Sequence, residues 1–294
     1  MKILDSHLHL WDPGVLHYDW LRDLPALNRP FLPEQLAEAA QSPDAAIVVQ
    51  ADCAPQHALQ EVEWINQQAE TSPIKLSGIV AWAPLETGNA VVPYLRHLHE
   101  LPRVVGIRRS LQNEPLELFY HSDYRYGLLA AAREGFVLDM CVRASQLTAL
   151  HDLLTWLYQC APDAQVVLDH MGKPDIAYNQ WQTWLDTFIT LAAFPHLACK
   201  ISGLPTEADW KSWQPEQLHP WIQQAITAFG PQRCLFGGDW PVVELAGGYP
   251  RWRACVMEAI VHLSSEDINA VMGENARNIY LAQSEGGKNK TEVL

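Results

Sequence analysis

Residues 3–10, ILDSHLHL, hold the reading of the fold. Side chains alternate between the two faces of a strand, so Asp5, His7 and His9 fall on one side and Leu4, Leu8 and Leu10 on the other. The leucines suit an outer face covered by helices. The imidazoles then point inward near the C-terminal end of the strand, where buried polar groups need partners or a metal. An isolated His-x-His also serves as a hydrogen-bonded structural pair. Its place at the end of a first strand points instead to a site.

Outward from this segment, short apolar runs recur at 45–52 (AAIVVQAD), 76–84 (LSGIVAWAP), 104–110 (VVGIRRS), 136–142 (FVLDMCV), 164–172 (AQVVLDHMG), 197–203 (LACKISG) and 234–242 (CLFGGDWPV). Their starts lie about 28 to 42 residues apart, room each time for a strand, its loops and a helix of about 11 residues. Helical spacing fills the intervals, as at 57–69, 145–158, 180–193, 215–229 and 250–263. Strand and helix alternating eight times predict an α/β fold, a single-domain (β/α)8 TIM barrel, regular or distorted, over residues 1–283. An open doubly wound sheet is the rival. No G-x-G-x-x-G follows the first strand, and no Walker A motif is present. Residues 11–33, rich in Trp, Tyr and Pro, form a long loop after strand 1, where barrel enzymes build their sites. Residues 265–281 predict one or two extra C-terminal helices, and 284–294 a disordered tail.

The chain has 294 residues with 48% hydrophobic and 18% charged side chains, which is the composition of a folded globular protein. Its formal net charge of -14 and lack of a Lys/Arg run argue against a nucleic-acid partner, whose phosphates would meet repulsion. No stretch approaches the ~18 apolar residues of a membrane span. The six cysteines form no C-x-x-C pair, and the N-terminus has no secretory leader, so a cytoplasmic protein with reduced thiols is expected. Asn289-Lys290-Thr291 fits a glycosylation tripeptide but carries no weight without an export signal. Oligomeric state is not legible.

Two further strands end in chemistry. Strand 6 finishes in Asp169-His170-Met171-Gly172-Lys173-Pro174, and strand 8 in Gly237-Gly238-Asp239-Trp240-Pro241. Asp239 alone reads as a turn cap. Together with His7, His9 and His170 it reads as part of a site. Tryptophans near strand ends, Trp11, Trp20, Trp82 and Trp240, are core residues first, with Trp82 and Trp240 the candidates for contact with a ligand. Gln112 is a candidate for a polar contact with the same ligand. Arg109 suits a carboxylate partner, and Lys200 either the site or a salt bridge. His97, His99, His196 and His262 stand in helical or loop contexts without matching ligands.

The segments DSHLHLWDP, GIRRSLQNEP, LDHMGKP, KISGL and FGGDWPV resemble the amidohydrolase superfamily, and within it the sugar-lactone hydrolases of the fuconolactonase and rhamnonolactonase type, across residues 3–243. The resemblance implies that His7 and His9 are the strand 1 pair and His170 the later histidine. It makes Asp239 the base that takes a proton from attacking water, and Arg108 a substrate-contacting cation. Strand 5 supplies no histidine and strand 4 no lysine for a bridging ligand, which argues against two metals. One divalent ion, zinc by preference, then has His7, His9 and Asp239 as ligands with a fourth position open. The metal-free alternative has the histidines, Arg108 and Lys173 polarising the carbonyl directly. The expected activity is hydrolysis of a small sugar-acid lactone, such as an L-fucono-, L-rhamnono- or galactono-lactone, to the aldonate. A metal-dependent decarboxylase on the same barrel and a non-catalytic sugar-acid binding barrel are the alternatives.

Overall fold

In the computed structural model, which describes residues 1–282, eight parallel strands are hydrogen-bonded in sequence order. They are β1 (Leu4–Leu8), β2 (Ala45–Val49), β3 (Lys75–Ala81), β4 (Val104–Ile107), β5 (Val137–Met140), β6 (Val166–Leu168), β7 (Leu197–Ile201) and β8 (Cys234–Phe236). The ring closes where Leu8 bridges Trp240, with His9 N donating to Trp240 O and Asp239 N to His7 O, each at 2.8 Å. A strand of such a sheet is covered on both sides, which is why AAIVV of β2 is apolar without alternation and wholly buried. The architecture is the (β/α)8 barrel.

One principal helix follows each strand: α1 (Pro33–Glu38), α2 (Ala58–Thr71), α3 (Val92–Glu100), α4 (Ser122–Arg133), α5 (Leu147–Cys160), α6 (Trp181–Ala192), α7 (Pro215–Phe229) and α8 (Tyr249–Ile260). Proline opens α1 and α7, where its missing N–H costs no helical bond. Leu147, Leu150, Leu154 and Leu157 of α5 form one buried stripe at helical spacing. Such stripes pack on the outer strand faces, in a core that includes Leu8, Ile79, Ile107, Met140, Leu168 and Ile201.

A second, smaller core fills the barrel. Leu4, Ile47, Val49, Val80, Val137, Val167, Ala198 and Leu235 meet inside it, together with Ala276 and Tyr280 from the C-terminal segment. That segment is a short helix, Ser265–Asn269, continued by π-helical turns at Ala270–Glu274 and Arg277–Leu281. It seals the end of the barrel opposite the strand C-termini. The predicted tail 284–294, with Asn289-Lys290-Thr291, lies outside the described residues. Among the described residues no helix is long and apolar enough to cross a membrane.

Two expectations change. The alternation of β1 is not continuous: its pairing register shifts between Asp5 and Leu8, so Leu4 joins the inner core while Leu8 faces the helices. Asp5 is consequently turned away from the lumen. Its Oδ1 accepts the amides of His7 and Gly238 at 2.9 Å each, and its pKa rises to about 7, chiefly through burial. The strands are also shorter than the apolar runs. Left-handed backbone at Asp52, His170, Met171, Lys173 and Asp239 ends regular pairing before the runs end.

Candidate active site

A charged layer sits on the apolar interior. Lys200 is fully buried, and its Nζ bonds Asp139 Oδ2, lies 3.0 Å from Asp169 Oδ1 and lies 3.2 Å from His7 Nδ1. Tyr280 reaches up from the floor and donates to Asp139 Oδ1 at 2.7 Å. Burial opposes the charge on Lys200, but Asp139 and Asp169 outweigh it and hold the ammonium above the usual lysine range. Burial likewise opposes ionisation of Asp169. Lys200 and His7 overcome that and hold the carboxyl well below its usual range. Asp139 has no place in the sequence reading, and Asp169 enters it only as the neighbour of His170. The available signal was a lone charge in each apolar run of strands 5, 6 and 7 (FVLDMCV, QVVLDH, LACKISG), set against the rarity of unpaired buried charge.

The expected site residues lie immediately above. His9 Nδ1 is 2.7 Å from the Val49 carbonyl, which only accepts, so this nitrogen carries the proton and Nε2 presents a lone pair. His9 Nε2 faces His7 Nε2 at 3.2 Å, and Asp239 Oδ1 stands 3.5 Å from the former and 3.9 Å from the latter. Arg108 Nη1 is 3.4 Å from His7 Nε2, with Nη2 anchored on the Gln50 carbonyl at 2.8 Å. His170 Nδ1 meets Ser202 Oγ at 2.8 Å, and its ring lies 4.4 Å from that of His7. Burial pushes the pKa of both His7 and His170 well below the usual histidine value. Burial pushes Asp239 upward, but His170, His9 and Lys173 outweigh it and keep the carboxyl below its ordinary range.

The backbone is bent to achieve this. His170 to Lys173 are a run of four left-handed residues at the end of β6, strain that packed surroundings must support. Two glycines allow close approach. A Cβ on Gly203 would lie 2.6 Å from His170 Nδ1, and one on Gly237 would lie 2.8 Å from the His7 Cβ.

His9, Arg108, Gln112, His170, Lys173 and Asp239 line one cavity of about 430 Å³. The 11–33 loop roofs it with Trp11, Asp19 and Trp20. Trp11 fixes the loop by donating to the Leu27 and Arg29 carbonyls at 3.1 Å, and Trp20 by donating to the Ala51 carbonyl at 2.8 Å. Gln112 Oε1 is buried without a protein partner. Lys173 Nζ lies 3.7 Å from Glu207 Oε1. Two expected residues are elsewhere. Trp240 is buried edge-on against Phe31 in the wall, because the left-handed Asp239 sends its own carboxylate into the cavity and the next side chain outward. Trp82 lines an adjoining cavity instead. Arg109 pairs with Glu86 and Glu114 at 3.1 and 2.8 Å, as a carboxylate partner. Asp52, Ser110, Cys141 and Thr206 also line the main cavity and had no distinguishing pattern in the sequence.

The donor set suits a metal. Tetrahedral zinc with Zn–N of ≈ 2.0–2.1 Å places ligand atoms roughly 3.3 Å apart, close to the 3.2 Å and 3.5 Å separations from His9 Nε2. One ligand atom each of His7, His170 and Asp239 also lie within 4.8 Å of one another. Behind them, Asp169 at 3.3 Å from His7 Nδ1 is the kind of partner that orients a metal-bound imidazole.

Titratable groups gathered at the strand C-termini stand where (β/α)8-barrel enzymes build their active sites. The amidohydrolase family model matches residues 4–281, and the chain belongs to that family. It is 31% identical over 298 residues to an L-fucono-1,5-lactonase of Burkholderia multivorans, covering 94% of this chain and 95% of that protein. A crystal structure of a B. multivorans amidohydrolase with bound zinc superposes with a TM-score of 0.82 at 30% identity, covering 95% of this chain and 99% of that one. A 2,6-dihydroxybenzoate decarboxylase from Rhizobium shares the fold at a TM-score of 0.62 and 15% identity, covering 95% of this chain and 98% of the other.

Proposed function

We propose that this protein is a lactonase, opening the ester ring of a sugar-acid lactone to give the aldonate. The observation that carries the reading is Asp239, kept ionised beside His7 and His9 and sharing a cavity with Arg108 and His170. The relative named as a lactonase supports the substrate class. The decarboxylase likeness, at 15% identity, speaks for the fold alone.

A lactone carbonyl gains negative charge as water attacks, and its ring oxygen must leave as an alcohol. Asp239 accepts the proton of the attacking water as the new C–O bond forms. The Arg108 guanidinium, held by Gln50 and close to Asp169, offers N–H donors and charge to the developing oxyanion. His170, held at Nδ1 by Ser202, orients the ring from the other side. When the ring C–O bond breaks, Asp239 returns its proton to the ring oxygen, so no covalent intermediate is needed. Gln112 Oε1, Lys173 and Trp20 contact the substrate hydroxyls and faces.

His7, His9 and Asp239 would hold one divalent ion, zinc by preference. Such an ion supplies Lewis acidity to the carbonyl and to water. The test is acid release from a panel of aldonolactones, with and without a chelator, beside elemental analysis of untagged protein. Opening of at least one lactone supports the reading, and about one metal per chain supports the ion. Tight aldonate binding without turnover of any lactone would replace it with the non-catalytic binding barrel.

A further inference from the structure

A second cavity of about 270 Å³ adjoins the main one and shares Asp52, Ser110 and Asn113 with it. Its wall also includes Trp82, Glu86, Arg109 and Glu114, with Cys53 and Pro55. Arg109 is already committed: Nε donates to Glu86 at 3.1 Å, Nη2 to Glu114 at 2.8 Å and Nη1 to the Ser110 carbonyl at 2.7 Å. Glu86 and Glu114 thus match the one guanidinium of this wall, and Asp52, the third carboxylate, acts on Arg108 of the main cavity, so carboxylates outnumber cations in the lining and none of its cations is unpaired. An anionic group is repelled there. The Trp82 backbone N–H bonds Gln50 Oε1 at 2.6 Å, and its ring stands edge-on to Tyr94.

Carboxylate oxygens have lone pairs to spare for hydroxyl donors, and an indole provides an apolar side for C–H groups. That combination matches an uncharged, polyhydroxylated ring. All the reacting groups lie in the first cavity, so whatever occupies the second is joined to the lactone without reacting. We propose that the adjoining cavity is a second subsite, which takes a neutral sugar ring carried on the lactone. The substrate class then extends to glycosylated aldonolactones of disaccharide size. This rests on the lactone reading above. Asp52, at the junction and in left-handed backbone, stands where the two rings join.

The experiment compares D-glucono- and D-galactonolactone with lactobiono-, cellobiono-, maltobiono- and melibionolactone. At least one disaccharide lactone is expected to be opened with a kcat/KM no lower than that of its monosaccharide counterpart. Trp82→Ala should lower the disaccharide-to-monosaccharide ratio of kcat/KM at least tenfold, and Trp82→Phe should restore most of it. Asn113→Ala, checked for folding by circular dichroism, is the second variant and should lower the ratio in the same direction. Turnover of monosaccharide lactones alone, or an unchanged ratio in both folded variants, overturns the subsite. If no lactone of either size is opened, the lactonase reading fails separately, and calorimetry with lactitol and maltitol decides the cavity. Binding weakened by Trp82→Ala then supports it, and no binding overturns it.

Discussion

The lower and upper halves of the barrel interior are made by the same strands, and they obey different rules. In the lower half Ile47, Val80, Val137, Val167 and Leu235 interlock over Tyr280, and packing alone accounts for every one of them. In the upper half each of β5, β6 and β7 brings a charge to the same level, as Asp139, Asp169 and Lys200, and above them the strands break into left-handed turns that carry His170 and Asp239. The lower half supplies rigidity. The upper half spends it on desolvated charges and strained backbone that would not persist on a softer base.

The sharpest way to break this contrast is at its top. Asp239→Asn should reduce lactone turnover by about 10³-fold or more, in the range of general-base losses, with little change in melting temperature. Wild-type rates in that variant would remove Asp239 from the chemistry. One level down, Lys200→Ala leaves Asp139 and Asp169 as buried carboxylates without their cation, and should cost about 3–5 kcal/mol in urea denaturation. A loss under about 1 kcal/mol would mean the layer is already solvated. In the lower half, Leu235→Ala should cost about 2–5 kcal/mol through a cavity while leaving kcat/KM within roughly twofold. A large kinetic effect there would show that the two halves are not separable.

The smallest effect concerns the loop over the site. Buried Glu61 accepts Tyr18 Oη at 3.0 Å, Gln50 Nε2 at 2.7 Å and Ala51 N at 3.1 Å, tying the 11–33 loop to α2 and the end of β2. Burial raises its pKa, so the folded chain binds that proton more tightly than the unfolded chain does. The stabilisation is therefore full below the ordinary glutamate value and is lost as pH rises towards the raised one. Glu61→Gln should flatten this part of the melting-temperature profile by about 2–4 °C. An unaltered slope would assign the pH dependence to other carboxylates.

Much of this was legible beforehand because barrel strands buried on both faces are visible as apolar runs, and because a run that ends in Asp-His or Gly-Gly-Asp has no packing reason to do so. His9, Arg108, Gln112, His170, Lys173 and Asp239 line one cavity, and His7 is buried beside His9 and Asp239. The facing of Leu4 and Asp5 was not legible, since a register shift of β1 leaves no mark in an alternating segment. That Trp82 lines the adjoining cavity and Trp240 the wall was not legible, because closeness to a strand end in sequence does not give the direction of a side chain after a turn. Asp139, Asp169 and Lys200 needed three strands to be placed side by side before their charges could be seen as a set.

By itself the sequence determined the repeating strand–helix order and the chemical inventory at the strand ends, since both are local: periodicity follows from backbone geometry, and residue type from the chain. Only the tertiary structure decided which groups meet. Whether Lys200 serves Asp139 and Asp169, whether His9 offers Nε2 to His7, and which of two adjoining cavities Trp82 faces all depend on side chains distant in sequence converging in a region that excludes water. There, partner, tautomer and charge are set jointly and not residue by residue.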